Sequence, residues 1–499
     1  MAFQPEMINF VLIPLMAPGH IIPMIDMAKL FAERGIIVTI VMTPLNAIRF
    51  NAVIDRAISS GLPIRLLQLR FPCKEAGLPI GCESVDTLPS YKLISNFFNA
   101  AKMLQKPLEQ MLKGLEPAPS CIICDKHLSW TADLSNNLQI PRIIFDGMSC
   151  FTQLIMNNLH ISKVHETASE SEPFVVPSLP DRIEFTKRQL PDLLNPRSAD
   201  VKDFFEEIRA TETLSYGVVV NSFEDLEQRY VDEFQKIRGG KVWCIGPLSL
   251  FNRENLDKAQ RGNKASIDTD QCLRWLDSHE PDSVIYACLG SLSRLMPSQF
   301  IELALGLEAS NYSFILVING GENTEEIEKW ILEYGFDERI KERGLLIRGW
   351  APQVLILSHS SVGGFLTHCG WNSTLEGICA GLPMITWPLF AEQFLNEQLV
   401  VQILGTGVRV GAEDVVDFTT QESSGMKVTK DEVKAAIDMV MDKGKQGCER
   451  REKARALKEM AKRSVEEDGS SYLNTTMLIQ DIEQLVKKNK QSTQGSFIT

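Results

Sequence analysis

A chain of 499 residues is too long for a single hydrophobic core, and we expect two or three domains. Its composition, with 44% hydrophobic and 23% charged residues, excludes an intrinsically disordered protein. The formal net charge of -13 argues against a nucleic-acid partner, because phosphate binding needs a concentrated basic surface.

The first apolar segment and the cysteines indicate the compartment. Residues 8–18 follow no basic stretch and lack a small-residue cleavage site, so we expect no secretion signal. No segment approaches the roughly 18 apolar residues of a membrane-spanning helix. The eleven cysteines are irregularly spaced, and the one CxxC, Cys121 and Cys124, lies in a predicted buried strand without a second zinc-binding pair. We therefore expect a cytoplasmic monomer.

Short apolar runs alternate with amphipathic stretches in the N-terminal half. The first run, residues 8–13, precedes a helical pattern over residues 21–34 that ends at Gly35. A second helix is expected near residues 47–59. The other predicted strands of this half cover residues 36–42, 64–69, 121–124, 140–145 and 218–220. This alternation indicates a parallel sheet with helices on both faces.

The alternation stops near residues 247–268, where Asn, Arg, Lys, Asp and Gly indicate an exposed linker. A polar loop is expected over residues 411–427. A second series of predicted strands covers residues 283–289, 314–317, 345–347, 362–366 and 384–387. We predict an N-terminal domain over residues 1–250, a linker over 251–268 and a C-terminal domain over 269–469. We also predict a helix over 470–488 that packs back on the N-terminal domain, and a frayed tail over 489–499.

The loops that follow strands are where an open α/β sheet binds ligands. The sequence has neither a G-x-G-x-x-G after a strand nor a P-loop motif. Residues 362–380 instead predict a strand, a tight turn and a helix, whose free N–H groups and dipole would bind an anion. His368, Asn372 and Ser373 would add side-chain donors. We interpret this unit as a diphosphate site.

Neighbouring residues extend this site to a nucleoside. Trp350 follows a predicted strand and suits a platform for a base, and Glu376 suits the two hydroxyls of a ribose. Simpler interpretations exist, because Ser373 and Glu376 also match a capping box, and Trp350 and Trp371 also suit a hydrophobic core. The joint occurrence of these residues in one strand–turn–helix unit favours a ligand site.

Residues 350–393, from Trp350 to Gln393, resemble the signature box of plant family-1 UDP-dependent glycosyltransferases. The resemblance extends over nearly the whole chain, including Asn221-Ser222-Phe223 with Glu227, Trp275-Leu276-Asp277 and Gly290-Ser291. It implies the GT-B fold, two Rossmann-like domains that face each other across a cleft. It also implies a UDP-sugar co-substrate and no cofactor or metal. The resemblance also implies which residues bind each part of the donor. Uracil is bound by Trp350 and Ala351, and ribose by Gln353 and Glu376. The diphosphate is bound by Ser291, His368, Asn372 and Ser373, and the sugar by Trp371, Glu392 and Gln393.

The N-terminal half is expected to bind the acceptor. His20 follows the first predicted strand, and an imidazole suits removal of a proton from an acceptor hydroxyl. Asp125 follows another strand and opens onto the same edge of the sheet, where a carboxylate would orient the imidazole. Taken alone, the two residues are more simply a surface histidine and a helix-capping aspartate. The family resemblance favours the catalytic interpretation, with His20 as the base that contacts the acceptor.

The implied reaction is a single displacement with inversion, in which preorganised donors and not a metal stabilise the leaving diphosphate. Asp268 and Asp270 spell a D-x-D, but we interpret Asp270 as a helix N-cap. Met148 stands where relatives often carry a threonine that contacts the sugar, so either Ser149 replaces that contact or the contact is absent.

We therefore predict an inverting UDP-glucose-dependent O-glucosyltransferase of plant secondary metabolism. Residues 47–50 resemble the corresponding segment of enzymes that act on triterpenoid sapogenins, flavonoids and related phenolics. The loops that bind the acceptor are expected within residues 71–88, 145–159 and 174–194. The alternatives are another UDP-sugar donor, a non-catalytic nucleotide-sugar-binding protein, or a pyridoxal-phosphate phosphorylase. The last would need a Schiff-base lysine, and residues 350–393 contain no lysine.

Overall fold

A computed structural model describes residues 7–196, 198–292, 295–320, 323–416 and 427–495. Most of the predicted polar loop over residues 411–427, and residues 496–499 of the predicted tail, lie outside these ranges. All eleven cysteines are free, and Cys121 and Cys124 are buried in one strand.

The N-terminal half is built on a parallel sheet. Its strands are β1 (Asn9–Ile13), β2 (Ile37–Met42), β3 (Ile64–Gln68), β4 (Cys121–Asp125), β5 (Arg142–Asp146), β8 (Gly217–Val220) and β9 (Val242–Cys244). A separate short antiparallel pair is formed by β6 (Phe174–Val175) and β7 (Glu184–Phe185). The strand order is β3-β2-β1-β4-β5-β8-β9. The strands run parallel, and the direction in which successive strands are added to the sheet reverses between β1 and β4.

The C-terminal half contains a second parallel sheet with the order β12-β11-β10-β13-β14-β15. Its strands are β10 (Val284–Cys288), β11 (Ser313–Ile318), β12 (Gly344–Arg348), β13 (Val362–Thr367), β14 (Met384–Thr386) and β15 (Gly407–Arg409). The direction of winding reverses here between β10 and β13. The two doubly wound α/β sheets confirm the predicted fold class.

Helices cover both sheets. They are α1 (Pro18–Glu33), α2 (Pro44–Ser59), α3 (Ile94–Lys102), α4 (Gln105–Lys113), α5 (Thr131–Leu138), α6 (Cys150–Ser162), α7 (Val164–Thr167), α8 (Ala199–Glu212), α9 (Glu224–Ile237), α10 (Asn255–Gln260), α11 (Thr269–Asp277), α12 (Pro297–Ala309), α13 (Thr324–Tyr334), α14 (Phe336–Ile340), α15 (Gln353–Leu357), α16 (Trp371–Ala380), α17 (Gln393–Gln398), α18 (Lys430–Met441), α19 (Lys445–Val465) and α20 (Ser470–Gly495). In the described residues, no helix is both long and apolar enough to cross a bilayer.

Packing joins the two halves. One hydrophobic cluster contains Phe151 and Leu154 from the N-terminal half together with Trp371 and Leu375 from the C-terminal half. The buried hydroxyl of Thr152 also donates to the side-chain oxygen of Asn396, at 3.0 Å. The last helix, α20, crosses back to the first half and packs against β9, and its Leu478 and Ile482 are buried in the hydrophobic core of that half.

Two sequence predictions are wrong in detail. The segment between the sheets was expected to be exposed, and it is exposed only in part: residues 253–256 are exposed, but the segment contains α10 and the Arg261 side chain is only 8% exposed. The short strands β6, β7, β9 and β15, of two or three residues each, were missed.

Candidate active site

The reversal points of the two sheets face each other across one cleft. His20, in the first turn of α1, and Asp125, at the end of β4, lie at the reversal point of the first sheet. The loop after β10 and the start of α16 lie at the reversal point of the second sheet. The Asn372 amide donates to the Gly19 carbonyl at 2.6 Å, so the N-termini of α1 and α16 are in direct contact. Reversal points are where open sheets bind ligands.

On the N-terminal side, two histidines share one carboxylate. His20 Nδ1 lies 2.5 Å from Asp125 Oδ2, and His127 Nδ1 lies 2.8 Å from Asp125 Oδ1. The backbone N–H of His127 also donates to Oδ1 at 3.0 Å. The Asp125 side chain is 1% exposed and the His20 side chain 27% exposed. The carboxylate therefore fixes the orientation of the His20 ring, and Nε2 of His20 is left for a ligand.

Burial and the carboxylate act in opposite directions on these groups. Burial disfavours the imidazolium, but the Asp125 carboxylate outweighs it and raises the pKa of His20 above its ordinary 6.5. Burial likewise opposes ionisation of Asp125, but His20 and His127 hold its pKa well below the ordinary range.

An ion pair lies beside this dyad. Lys126 Nζ is 3.0 Å from Asp146 Oδ2, with both side chains buried, and it also contacts the sulfur of Met148 at 3.3 Å. Ser149 does not replace a sugar contact at Met148, because its buried hydroxyl caps α6 by accepting from the N–H of Thr152. The N-terminal half thus presents an ammonium group beside Met148.

On the C-terminal side, α16 begins without a side-chain cap. Its first helical hydrogen bond runs from the Thr374 N–H to the Gly370 carbonyl. Within the described part of the chain the N–H groups of the first turn have no acceptor, so they are available to a ligand. Cys369, just before the helix, has a φ of 63°, a left-handed conformation that is uncommon outside glycine and turns the chain sharply from β13 into α16.

His368 precedes this turn and is half-buried. A Cβ atom on Gly290 would lie 2.3 Å from His368 Nε2, so only glycine allows the loop after β10 to approach the ring. Burial lowers the pKa of His368 to about 4, so the imidazole is neutral at physiological pH. Its Nδ1 has no hydrogen-bond partner within the described residues. A neutral ring can still donate one hydrogen bond to an anion.

Gln353 connects the residues predicted to hold a ribose. Its amide donates to Glu376 Oε2 at 2.7 Å and to the Ser373 hydroxyl at 3.1 Å. The alternative capping box of Ser373 and Glu376 is wrong, because the helix begins at Trp371 and both residues lie inside it. The Trp371 indole N–H donates to the Asn221 carbonyl at 2.7 Å, so only the backbone of Trp371 is left for a ligand.

Trp350 lies under the segment that connects the sheets. Its N–H donates to the Ser266 hydroxyl at 2.9 Å, and its carbonyl accepts from the Ser266 N–H at 2.8 Å. Gly262 has a φ of 105°, and a Cβ atom there would lie 2.3 Å from the indole ring. The indole Nε1 has no partner among the described residues.

The loop after β14 ends the site. Gln393 is buried, and its Oε1 accepts from the N–H groups of Leu389 and Phe390 at 2.8 and 3.0 Å. Only the Nε2 amide therefore remains as a donor. Burial raises the pKa of Glu392, although Lys126 and His20 favour its ionised form.

A cavity of about 300 Å³ brings these residues together. Every residue predicted to be catalytic or donor-binding lines it: His20, Asp125, Ser291, Trp350, Ala351, Gln353, His368, Trp371, Asn372, Ser373, Glu376, Glu392 and Gln393. Arg261, Lys126, Asp146 and His127 also line it and were missed. The polar run after β4 could have indicated Lys126 and His127, whereas nothing local indicates Arg261.

An adjoining cavity of about 1060 Å³ is lined mainly by apolar residues of the N-terminal half and shares Lys126, Asp146, Met148 and Glu392 with the first. Of the expected acceptor segments, 145–159 and 174–194 contribute to it. Residues 71–88 do not, and α8 contributes instead.

The D-x-D lies outside both cavities. Asp268, and not Asp270 as expected, caps α11 by accepting from the Gln271 N–H at 2.8 Å. The first aspartate of the motif therefore has a structural partner.

Similar proteins share this architecture. Residues 269–443 match the family model of UDP-glucoronosyl and UDP-glucosyl transferase. UDP-glycosyltransferase 73C3 of Arabidopsis thaliana is 52% identical over 97% of this chain and 98% of its own length. UDP-glycosyltransferase 73C11 of Barbarea vulgaris is 49% identical over the same shares of the two chains.

Two solved structures support the same relation. Glycyrrhiza uralensis UGT73P12, complexed with glycyrrhetinic acid 3-O-monoglucuronide, is 35% identical, with a TM-score of 0.91 and 99% of both chains covered. Phytolacca americana UGT2, complexed with UDP-2fluoro-glucose and pterostilbene, is 28% identical, with a TM-score of 0.74 over 95% of this chain and 100% of its own.

The geometry predicts the titration of His20. Its imidazole should titrate above pH 6.5 in the wild type, and Asp125→Asn should move the titration to lower pH, because burial then acts without the opposing carboxylate. NMR of histidine-labelled protein would measure it, with the histidines remote from Asp125 as internal controls. An unchanged His20 titration in the variant would contradict the coupling.

Proposed function

The chain belongs to the UDP-glycosyltransferase family, and we propose that it transfers glucose from UDP-glucose to a hydroxyl of a small lipophilic plant metabolite. Enzymes of this family use a UDP-sugar as co-substrate and need no metal ion. The proposal concerns the sugar, the acceptor and the roles of the individual residues.

The observation that carries the proposal is the contact between the two helix N-termini. The Asn372–Gly19 hydrogen bond brings the His20–Asp125 dyad and the uncapped start of α16 to the same cavity. A base on one side and an anion-binding helix terminus on the other suit displacement at a carbon atom between them.

His20 removes the acceptor proton in the proposed reaction. Asp125 holds Nδ1, so Nε2 takes the proton of the attacking hydroxyl, and the positive charge that forms is stabilised by the carboxylate. The hydroxyl oxygen forms a bond to the anomeric carbon as the bond to the UDP oxygen breaks, which inverts that centre.

The leaving diphosphate is held by neutral donors in this proposal. The part of the cavity at the end of β13 is lined by the N–H groups at the start of α16, the Asn372 and Ser373 side chains and the neutral His368 ring. Ser291 lines the same cavity. Trp350 and Ala351 bind uracil, Gln353 and Glu376 bind ribose, and Trp371, Glu392 and Gln393 bind the sugar. Preorganised dipoles of this kind stabilise developing charge without reorganisation.

The larger cavity supports the proposed acceptor class. At about 1060 Å³ it is at the upper end for small-molecule sites, and its lining is mainly apolar. A rigid polycyclic acceptor, a triterpenoid sapogenin or a flavonoid, suits that volume. The glycyrrhetinic acid glucuronide in the UGT73P12 complex supports the triterpenoid.

Three further points belong to the proposal. The division into acceptor and donor domains falls at residues 1–250 and 269–469, with α20 packed on the acceptor domain. The enzyme acts in the cytoplasm, and it acts as a monomer.

His20→Ala should lower turnover by about 10²- to 10⁴-fold, the usual cost of removing a general base, and leave the affinity for UDP nearly unchanged. Initial rates and calorimetric UDP titration would measure the two effects. His279→Ala, a histidine outside both cavities, is the matched control. Wild-type turnover in His20→Ala would contradict the assignment of the base.

UDP-glucose should be preferred to UDP-galactose. The Gln393 Nε2 amide remains to donate to a sugar hydroxyl, and inverting that hydroxyl would leave a buried donor unpaired at about 1–3 kcal/mol. The expected difference in kcat/KM is roughly 5- to 150-fold. Mass spectrometry of competition reactions with the two donors would measure it, and equal rates, or a lead for UDP-galactose or UDP-glucuronate, would contradict the assignment of glucose.

A further inference from the structure

Arg261 lies where the linker passes between the two halves. Its Nε donates to Asp26 Oδ2 on α1 at 2.7 Å, and its NH1 donates to Glu376 Oε1 on α16. The Asp26 side chain is 1% exposed, that of Glu376 6%, and that of Arg261 8%. One buried cation therefore bridges two buried carboxylates, one on a helix of each half.

The bridge is fixed on the side of α1. Asp26 Oδ1 accepts from the amide of Asn252 at 2.8 Å, and the side-chain oxygen of Asn252 accepts from Lys29 Nζ at 3.1 Å. Asn252 belongs to the linker, whereas Asp26 and Lys29 belong to α1. The linker is therefore attached to the helix that carries His20.

The bridge is also fixed on the side of the donor cavity. Glu376 Oε2 accepts from Gln353, so the two carboxylate oxygens have different partners and the group cannot rotate freely. Arg261 itself lines the donor cavity, and the next residue, Gly262, packs on Trp350. Asp26 does not line that cavity.

Only arginine suits this position. Its planar guanidinium presents separate N–H donors to two carboxylates, whereas a lysine ammonium at the end of a flexible chain would bind one and leave the other weakly paired. An unpaired buried carboxylate is unfavourable, so the bridge holds α1 and α16 together.

We propose that Arg261 is a positioning residue that joins the helix carrying the base to the carboxylate that binds ribose, and so fixes the arrangement of the two halves needed for turnover. The inference rests on the proposed function, because it takes Glu376 as a donor-binding group and His20 as the base. The linker thereby acts as a part of the active site.

Arg261→Lys keeps the charge and tests the bridge. We expect it to raise the dissociation constant for UDP by about 10-fold, because Glu376 loses its fixed partner, and to lower kcat as well. Calorimetry and steady-state kinetics would measure the two effects. Arg253→Lys makes the same change at an exposed position of the same linker and should alter neither.

Asp26→Asn supplies the second arm, since it removes the anchor on α1 without touching the donor cavity. It should lower kcat in the wild-type background and have little further effect in Arg261→Lys, because both substitutions break the same bridge. A purely structural role would instead lower the melting temperature of each variant and leave UDP affinity unchanged.

Additive effects of the two substitutions on kcat, or wild-type UDP affinity in Arg261→Lys, would overturn the inference. Should Arg261→Lys fail to fold, an unchanged kcat in folded Asp26→Asn would overturn it equally. If the wild-type enzyme itself neither binds UDP nor transfers glucose, the proposed function fails, which distinguishes the two outcomes.

Discussion

The approach of the N-termini of α1 and α16 is the constraint on which the rest of the site depends. Each terminus carries the positive end of a helix dipole, and the start of α16 also carries N–H groups that have no acceptor among the described residues. Two such termini attract an anion to the space between them and repel each other without one. The Asn372–Gly19 hydrogen bond and the Asp26–Arg261–Glu376 bridge hold them together. This arrangement suits the diphosphate site that we propose.

Environment gives two histidines in this cleft opposite properties. The carboxylate of Asp125 raises the pKa of His20, which suits a base that must accept a proton and stabilise the resulting charge. No carboxylate among the described residues pairs with His368, and burial lowers its pKa to about 4. It therefore suits the proposed neutral donor to the diphosphate. The two rings differ because one lies beside a carboxylate and the other lies against Gly290 and Gly370.

The sequence predicts those parts of the site that are encoded locally. The unit β13–turn–α16 places His368, Asn372 and Ser373 within a few residues of one another, so spacing and family resemblance were sufficient to find them. The fold class followed from the alternation of strands and helices. What was missed depends on contacts between distant residues. Arg261 lies in a polar segment with every local sign of an exposed linker, and only the packed structure brings it between two carboxylates.

A crystal structure of the complex with UDP would show whether UDP binds between these helix termini. We expect the diphosphate within hydrogen-bonding distance of the N–H groups at the start of α16, the uracil stacked on Trp350, and the ribose hydroxyls on Glu376 with Arg261 still in place. A diphosphate bound away from α16, or a uracil that does not contact Trp350, would contradict this expectation.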